Sequence, residues 1–507
     1  MRTYTNLFKN KLIVLATFTG AALIIFAPST GRIFLSDDYC TLHNVVENNS
    51  IWLETFFRPI GDLTLMWSYK LTGWNPFYFY LTNIILHAVN SFLLYVFCLE
   101  WFGRESRYVF FAVAAGLIFL TYPSHSEPIL WAIGRGVSLA VFFSLLAMIT
   151  VIGNIRTDVK YILAGLLYFI ALACYESVLL LPVILCFLSQ RTSRKFAIRM
   201  AIVLTAALFL HLLLRYYLTG GIWRAYNGVI FTKDLIQYLT TFSKILLRLF
   251  IPPFDYPLFF TLCGVVVYAI LTVVLYNNRK RFESDRLFTN TLLLVVTGLL
   301  STILVALSFG LSTRTSEGDR LMYFPSVFYS ILLSFLTVRL IYTLRWSLLA
   351  VVLIVVVQSA FLVINQGNWN RASEMAAKVL NGVARHPQRP LYIINMPSDY
   401  YGAYVFRNCL PEALSHYGMD TSGVRIVNIL RSAEMEIRKI PIAPETKGVR
   451  TFIWPETLLE VRRDSVISMT LGSDSAIAVN VPASSFLYWN NNDLVPLMKT
   501  SAVPAPQ

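Results

Sequence analysis

The sequence predicts an all-α polytopic membrane protein of about eleven transmembrane helices, followed by a small extramembrane α+β domain. Three observations lead there. The 507-residue chain is 56% hydrophobic and 14% charged, too little polar surface to clothe a soluble globule of that size. Apolar stretches near the roughly 20 residues that cross a bilayer recur along its first three quarters. Beyond about residue 370 the composition turns polar and the apolar residues begin to alternate.

The expected spans are 11–28, 77–98, 108–121, 130–153, 160–174, 177–189, 198–217, 257–276, 287–309, 324–341 and 347–364. The first follows Arg2, Lys9 and Lys11, like the charged start of a signal peptide. No small-residue cleavage site follows its apolar run, so it reads as a retained anchor. Positive residues near span ends prefer the cytoplasm, which puts the N-terminus inside and fixes the other loops by alternation. The loops so assigned inside hold 17 basic and five acidic residues, a balance of +12, whereas the outer segments up to residue 370 hold 11 of each. The overall charge of +14 is therefore a topology signal and points to no nucleic-acid partner. An odd number of spans places the C-terminal domain outside, periplasmic or extracellular, in a bacterial plasma membrane rather than the endoplasmic reticulum.

Residues 1–366 form the membrane module in this reading and 367–507 the external domain. Within the module, 29–76 is a first external loop whose aromatic and charged pattern suggests short helices at the membrane surface. The second, 218–256, has Leu235, Tyr238, Leu239, Phe242, Ile245 and Leu246 at helical spacing, closed by Pro252 and Pro253. Trp369–Val383 reads as a helix leading into the domain, and Val424–Leu430, Val466–Leu471 and Ala476–Val481 as strands. Four cysteines lie in or beside spans. Cys40 and Cys409 are both expected outside and can pair, but two cysteines make no framework.

Ionisable groups are costly at membrane depth, so their positions are informative. Here they gather at the outer ends of spans: Asp37, Asp38 and Arg58, then His125, Glu127 and Arg135, Glu176, Arg215, and finally Asp319 and Arg320. In the second span Tyr80, Asn83, His87 and Asn90 share one helix face. Moving a sugar from a lipid phosphate to a hydroxyl needs a carboxylate to take the hydroxyl proton and cations on the departing phosphate. The outer face supplies both. Taken one at a time, such residues are equally explained as headgroup anchors or interhelical hydrogen bonds.

The same residues carry a resemblance. Ser36-Asp37-Asp38, Phe57-Arg58-Pro59 and Asn75-Pro76 with Asn83 and His87 resemble the first third of GT-C membrane glycosyltransferases, above all protein O-mannosyltransferases that carry tetratricopeptide repeats, and their bacterial relatives. Tyr122-Pro123-Ser124-His125-Ser126-Glu127-Pro128, continued by Trp131 and Gly134-Arg135, is similar to that group's His-Pro-x-His-x-Glu, Trp and Gly-Arg pattern. Asp319-Arg320-Leu321-Met322-Tyr323-Phe324-Pro325-Ser326 resembles its Glu-Arg-x-x-Tyr-x-Pro-Ser, and Glu176 falls where a Lys-Glu pair is expected. Tyr122 and Tyr175 depart from the pattern's His and Lys, and the C-terminal domain shows no 34-residue period.

The resemblance implies a GT-C fold and a polyprenyl-phosphate-linked monosaccharide as donor. It aligns Asp37 with the catalytic base and Asp38 with its partner, an order the sequence leaves open. It implies Arg320, then Arg58 and Arg135, for the donor phosphate, with His87, Asn83, His125, Glu127, Glu176, Asp319 and Tyr323 in support. Arginine alone can neutralise a lipid monophosphate, so no obligatory metal or other cofactor is expected. The choice of acceptor is not carried over by the resemblance: a protein hydroxyl, a cell-surface polysaccharide and a lipid-linked glycan all stay open. The rival classes are a transporter or flippase of lipid-linked glycans, whose repeats and broken midplane helices are not evident, and a non-catalytic glycan-binding membrane protein.

Overall fold

The structure, a computed structural model, describes residues 10–52, 56–222, 235–280, 285–307, 311–341, 343–431, 442–446, 449–454, 457–463, 465–471, 477–490 and 492–497. Arg2 and Lys9 of the charge reading, Arg281 and Glu283 of the 277–286 loop, and 223–234 of the second external stretch lie outside them. Each expected span coincides with a helix. The first is Lys11–Phe26, started by Asn10, whose side chain accepts from the Leu12 N–H. The second, Pro76–Phe102, has Asn75 as its cap, proline in its first turn, and Gly103 at φ +97° to end it. Ser193 and Asp285 cap Arg194–Thr219 and Arg286–Ala306 in the same way.

Among the described residues seven helices are long and apolar enough to cross a membrane, or eight if Ser106–Leu120 and Pro123–Leu130, bent by 57°, count as one. The bend falls at Pro123, which cannot donate to the helix ladder. The remaining expected spans fall on shorter helices, Thr157–Leu172, Leu181–Gln190 and Pro325–Leu340. Single 3-10 turns at Glu176–Val178 and Asp319–Met322 precede two of these and carry the polar motifs. The last span and the helix expected at Trp369–Val383 are one 41-residue helix, Leu344–Ala384. Nothing between them breaks it: there is no proline, and Gly367 costs only about 1 kcal/mol.

The chain divides into two compact units, one of residues 1–31 and 44–367, the other of 32–43 and 368–507. The first is a helical bundle with Pro76–Phe102 at its centre, packed on Lys11–Phe26, Ser106–Leu120 and Arg135–Ile152. Its core is heavily aromatic: the Phe102 ring lies 4.3 Å from Phe111 and 5.6 Å from Phe335. Pro59–Thr72 is a short helix of the first external loop, and Leu235–Phe250 buries Thr241, Ile245, Arg248 and Leu249 on one face. The polar residues expected on one face of the second span, Tyr80, Asn83, His87 and Asn90, are all buried.

In the second unit a four-stranded sheet runs in the order Leu494–Pro496, Phe486–Trp489, Leu391–Ile394, Val424–Ile426. The last three strands are parallel. A five-stranded antiparallel meander runs from Ile442–Thr446 to Ile477–Pro482. Tyr392 stacks on Phe486 at 4.6 Å in a core completed by Ile394, Leu459, Val461 and Val466. Residues 32–43 join this unit through the Cys40–Cys409 disulfide, a bond from the Ser36 N–H to the Val405 carbonyl, and Tyr39 stacked on Phe406.

Candidate active site

In the membrane unit, five side chains expected at separate span ends meet. The Arg320 backbone N–H donates to Glu127 Oε2 at 2.8 Å, and its guanidinium pairs with Glu127 Oε1. One buried carboxylate thus fixes both the backbone and the head of Arg320. The Arg320 side chain stays 19% exposed, while Glu127 is wholly covered. Arg58 donates to Glu176 Oε2 at 3.0 Å, and Arg215 stands 3.9 Å from Glu176 Oε1. Tyr175 lies between the two arginines: its hydroxyl accepts from Arg320 Nε at 3.1 Å, and the Arg58 guanidinium sits 4.0 Å from its ring centre. Trp131 is 5.7 Å from the Arg320 guanidinium.

The third arginine is differently placed. Arg135 is buried and donates to Asn83 Oδ1 at 2.8 Å, to Ser68 Oγ at 2.7 Å, and to the carbonyls of Thr64 and Phe79. Asn83 in turn donates to the carbonyls of Trp131, Ile129 and Ala132. Together they tie down the turn that carries Trp131. Gly134 is required there, because a Cβ would stand 2.8 Å from the Glu127 carbonyl oxygen and 2.9 Å from that of Pro128.

His87, His125 and Tyr323 form a buried polar and aromatic cluster. His87 Nε2 lies 3.1 Å from the Leu120 carbonyl, which can only accept, so Nδ1 accepts from the Tyr323 hydroxyl at 2.8 Å. Asn90 donates to the same hydroxyl at 3.1 Å. Ser326 donates to the Tyr323 carbonyl, which leaves its oxygen to accept from His125 Nε2 at 2.8 Å. These groups pin the 319–326 segment against the bundle. Asp319 points away from Arg320 and forms a fully buried ion pair with Arg248, whose Nε donates to the Ser312 carbonyl at 3.2 Å. Burial pushes the Asp319 carboxyl up and the Arg248 guanidinium pulls it back.

Sequence reasoning left out Asp62, Tyr175 and His211, and it reads Arg248 as available to lipid headgroups, whereas Arg248 is buried in its ion pair with Asp319. Asp62 is four residues after Arg58, a spacing that sets the two on one face. Burial pushes its carboxyl up to about 7, opposed by Arg58 and reinforced by Glu176. His211 is buried against Phe57, whose ring centre is 5.5 Å away, on the same helix as Arg215. The departure from a Lys-Glu pair was the available signal for Tyr175.

The acidic pair belongs to the other unit. Asp38 is completely buried and its Oδ2 accepts from the Leu35 N–H at 3.1 Å, holding the start of helix Asp37–Val46. Asp37 is half-buried, and its Oδ1 accepts from Asn408 Nδ2 at 3.0 Å and from the Ser36 hydroxyl at 3.3 Å. Ser36 has φ +46°, a conformation uncommon outside glycine. Among the described residues, Cys40, Cys409 and Glu412 are close enough to share a metal ion, but the disulfide leaves them no thiolate.

Helices of membrane-crossing length, with guanidinium and carboxylate groups clustered in the turns between them, define a multi-pass membrane protein with a charged site. The curated proteins it resembles are protein O-mannosyltransferases. One from Caenorhabditis elegans is 24% identical over 298 residues, 54% of this chain and 41% of that protein. Human TMTC1 is 32% identical over 124 residues, 24% of this chain and 13% of its own length. The chain thus spans well under half the length of these relatives. Among solved structures, the crystal structure of ArnT from Cupriavidus metallidurans bound to undecaprenyl phosphate aligns at a TM-score of 0.48 with 12% identity, over 83% of this chain and 90% of that one. No family model matches.

Proposed function

We propose that the chain is a membrane glycosyltransferase that takes a monosaccharide from a polyprenyl-phosphate donor and passes it to a hydroxyl of a protein or surface glycan on the outer face. The observation that carries the reading is the convergence of Arg58 and Arg320, each partly exposed and each steered by its own carboxylate. The similarity to protein O-mannosyltransferases supports it.

In the reaction the acceptor oxygen bonds to the anomeric carbon, the bond from that carbon to the phosphate oxygen breaks, and its electron pair stays on the phosphate. Arg320 and Arg58 receive the growing negative charge. Asp37 takes the hydroxyl proton, and its exposure, against the burial of Asp38, supports that order. Arg135 serves the turn that carries Trp131 instead of the phosphate, since its donors are engaged by protein acceptors. The arginines neutralise a lipid monophosphate without a divalent ion.

Transfer by the purified full chain, supplied with synthetic polyprenyl-phosphate monosaccharides and hydroxyl acceptors and read by product mass, tests the function. Formation of a glycosylated product is expected; a folded protein that binds the donor lipid but transfers nothing overturns the reading. The sidedness follows the +12 balance of the inside loops. A reporter fused at Gln507 should register outside and one in the 277–286 loop inside, and the reverse result would move the site to the cytoplasmic face.

A further inference from the structure

We infer that Tyr175 is a positioning residue that joins Arg58 and Arg320 into one phosphate clamp, matched to the dianionic lipid phosphate that leaves and not to the monoanionic donor that enters. The inference rests on the proposed donor class.

Tyr175 is almost fully covered, at 3% exposure. Its backbone is anchored by a hydrogen bond from its N–H to the Ala171 carbonyl, and Gly136 lets the neighbouring helix approach it closely, since a Cβ there would stand 3.0 Å from the Cys174 carbonyl oxygen. Burial to this degree leaves the ring little room to turn. The ring presents its face to Arg58 at 4.0 Å and its oxygen to Arg320 Nε at 3.1 Å. Two arginines from distant parts of the chain are thereby indexed to the same rigid group. The phenol oxygen accepts from Arg320, so its own proton can be given to a ligand oxygen. Glu176 and Glu127 are the carboxylate partners of the two guanidinium groups.

The donor is a phosphodiester with a single negative charge. When the bond from the anomeric carbon to the phosphate oxygen breaks, the lipid keeps that electron pair as a phosphate monoester, which carries close to two charges at neutral pH and above. Two cations and a hydroxyl proton around one position favour the second state over the first. A group that fixes the separation of the cations therefore acts on the difference between the two charge states, more than on lipid binding as such.

The test compares affinities of the purified full chain for a polyprenyl monophosphate and for its methyl diester at pH 8. Wild type is expected to prefer the monoester by about 10-fold or more. Tyr175→Phe keeps the ring face and loses the hydroxyl, and should cut that ratio by roughly 3- to 10-fold with little change in diester affinity. Tyr175→Leu loses both contacts and should bring the ratio close to one. Arg320→Ala is the control for the donor reading. If Arg320→Ala lowers the ratio while Tyr175→Phe, unfolding at the wild-type temperature, leaves it unchanged, the role of Tyr175 is overturned and the donor reading stands. If wild type binds neither lipid, the donor reading itself fails and this inference goes with it.

Discussion

Glu127 is the residue whose replacement should speak most directly to how the site is held. It is wholly covered, and its two oxygens divide between the backbone N–H and the guanidinium of Arg320. Breaking a buried ion pair costs about 3 to 5 kcal/mol when the remaining charge is stranded. Arg320 is 19% exposed and keeps Tyr175 as a partner, so part of that cost is relieved by water, leaving about 1 to 3 kcal/mol. Glu127→Gln retains the shape and can still accept one of the two hydrogen bonds, but its amide group turns a donor toward the other. If the loss falls on the orientation of Arg320, polyprenyl monophosphate affinity drops by roughly 10- to 100-fold. Lipid titration of the purified variant measures this, with thermal unfolding as the control for folding. A folded Glu127→Gln protein, and a folded Glu127→Ala protein, that bind the lipid as wild type does would refute the idea that this carboxylate aims Arg320.

Asp37→Asn should reduce transfer by roughly 100-fold or more while lipid binding persists, because the amide keeps the shape and loses the basicity; initial rates of product formation read this, and an equal or larger loss in Asp38→Asn with intact folding would reverse the assignment. Gly134→Ala should lower the unfolding temperature and yield, since the new methyl group meets two carbonyl oxygens at under 3 Å, and a variant as stable as wild type would mean that the turn can shift. Asp62 provides a pH signature. Its carboxyl is raised to about 7 from an ordinary 3.8, so the folded state holds the proton more tightly and stability falls as pH rises between those values. Asp62→Asn removes that dependence, and its unfolding temperature relative to wild type should rise from pH 5 to pH 8; a difference independent of pH would show that Asp62 does not titrate there.

The membrane helices are legible because a bilayer imposes a local demand: an apolar run such as 257–276 declares itself without reference to the rest of the chain. Shorter runs such as 177–189 mark where helices lie but not whether each crosses, because turns at Glu176 and Asp319 interrupt them. In the site, the residue types were readable and their partners were not. Nothing near Glu127 in sequence points to the Arg320 backbone, 193 residues away. Arg135 and Arg320 look alike as basic residues at span ends; only packing shows one enclosed by Asn83 and Ser68 and the other half-open. Tyr175 is visible in the sequence as a departure from a motif, and its two-sided contact is set by packing between distant segments.

The attachment of residues 32–43 to Val405, Asn408 and Cys409 also sets an order of events during synthesis. Cys40 emerges from the ribosome 369 residues before its partner, an interval of tens of seconds at roughly 5 to 20 residues per second. The membrane helices enter the bilayer meanwhile, and Asp37 must wait without Asn408 until just over four fifths of the 507 residues have been made. A nascent chain halted before that point would hold the expected spans but lack the Asn408 contact to Asp37, so the proposed proton transfer would depend on completion of the polar domain.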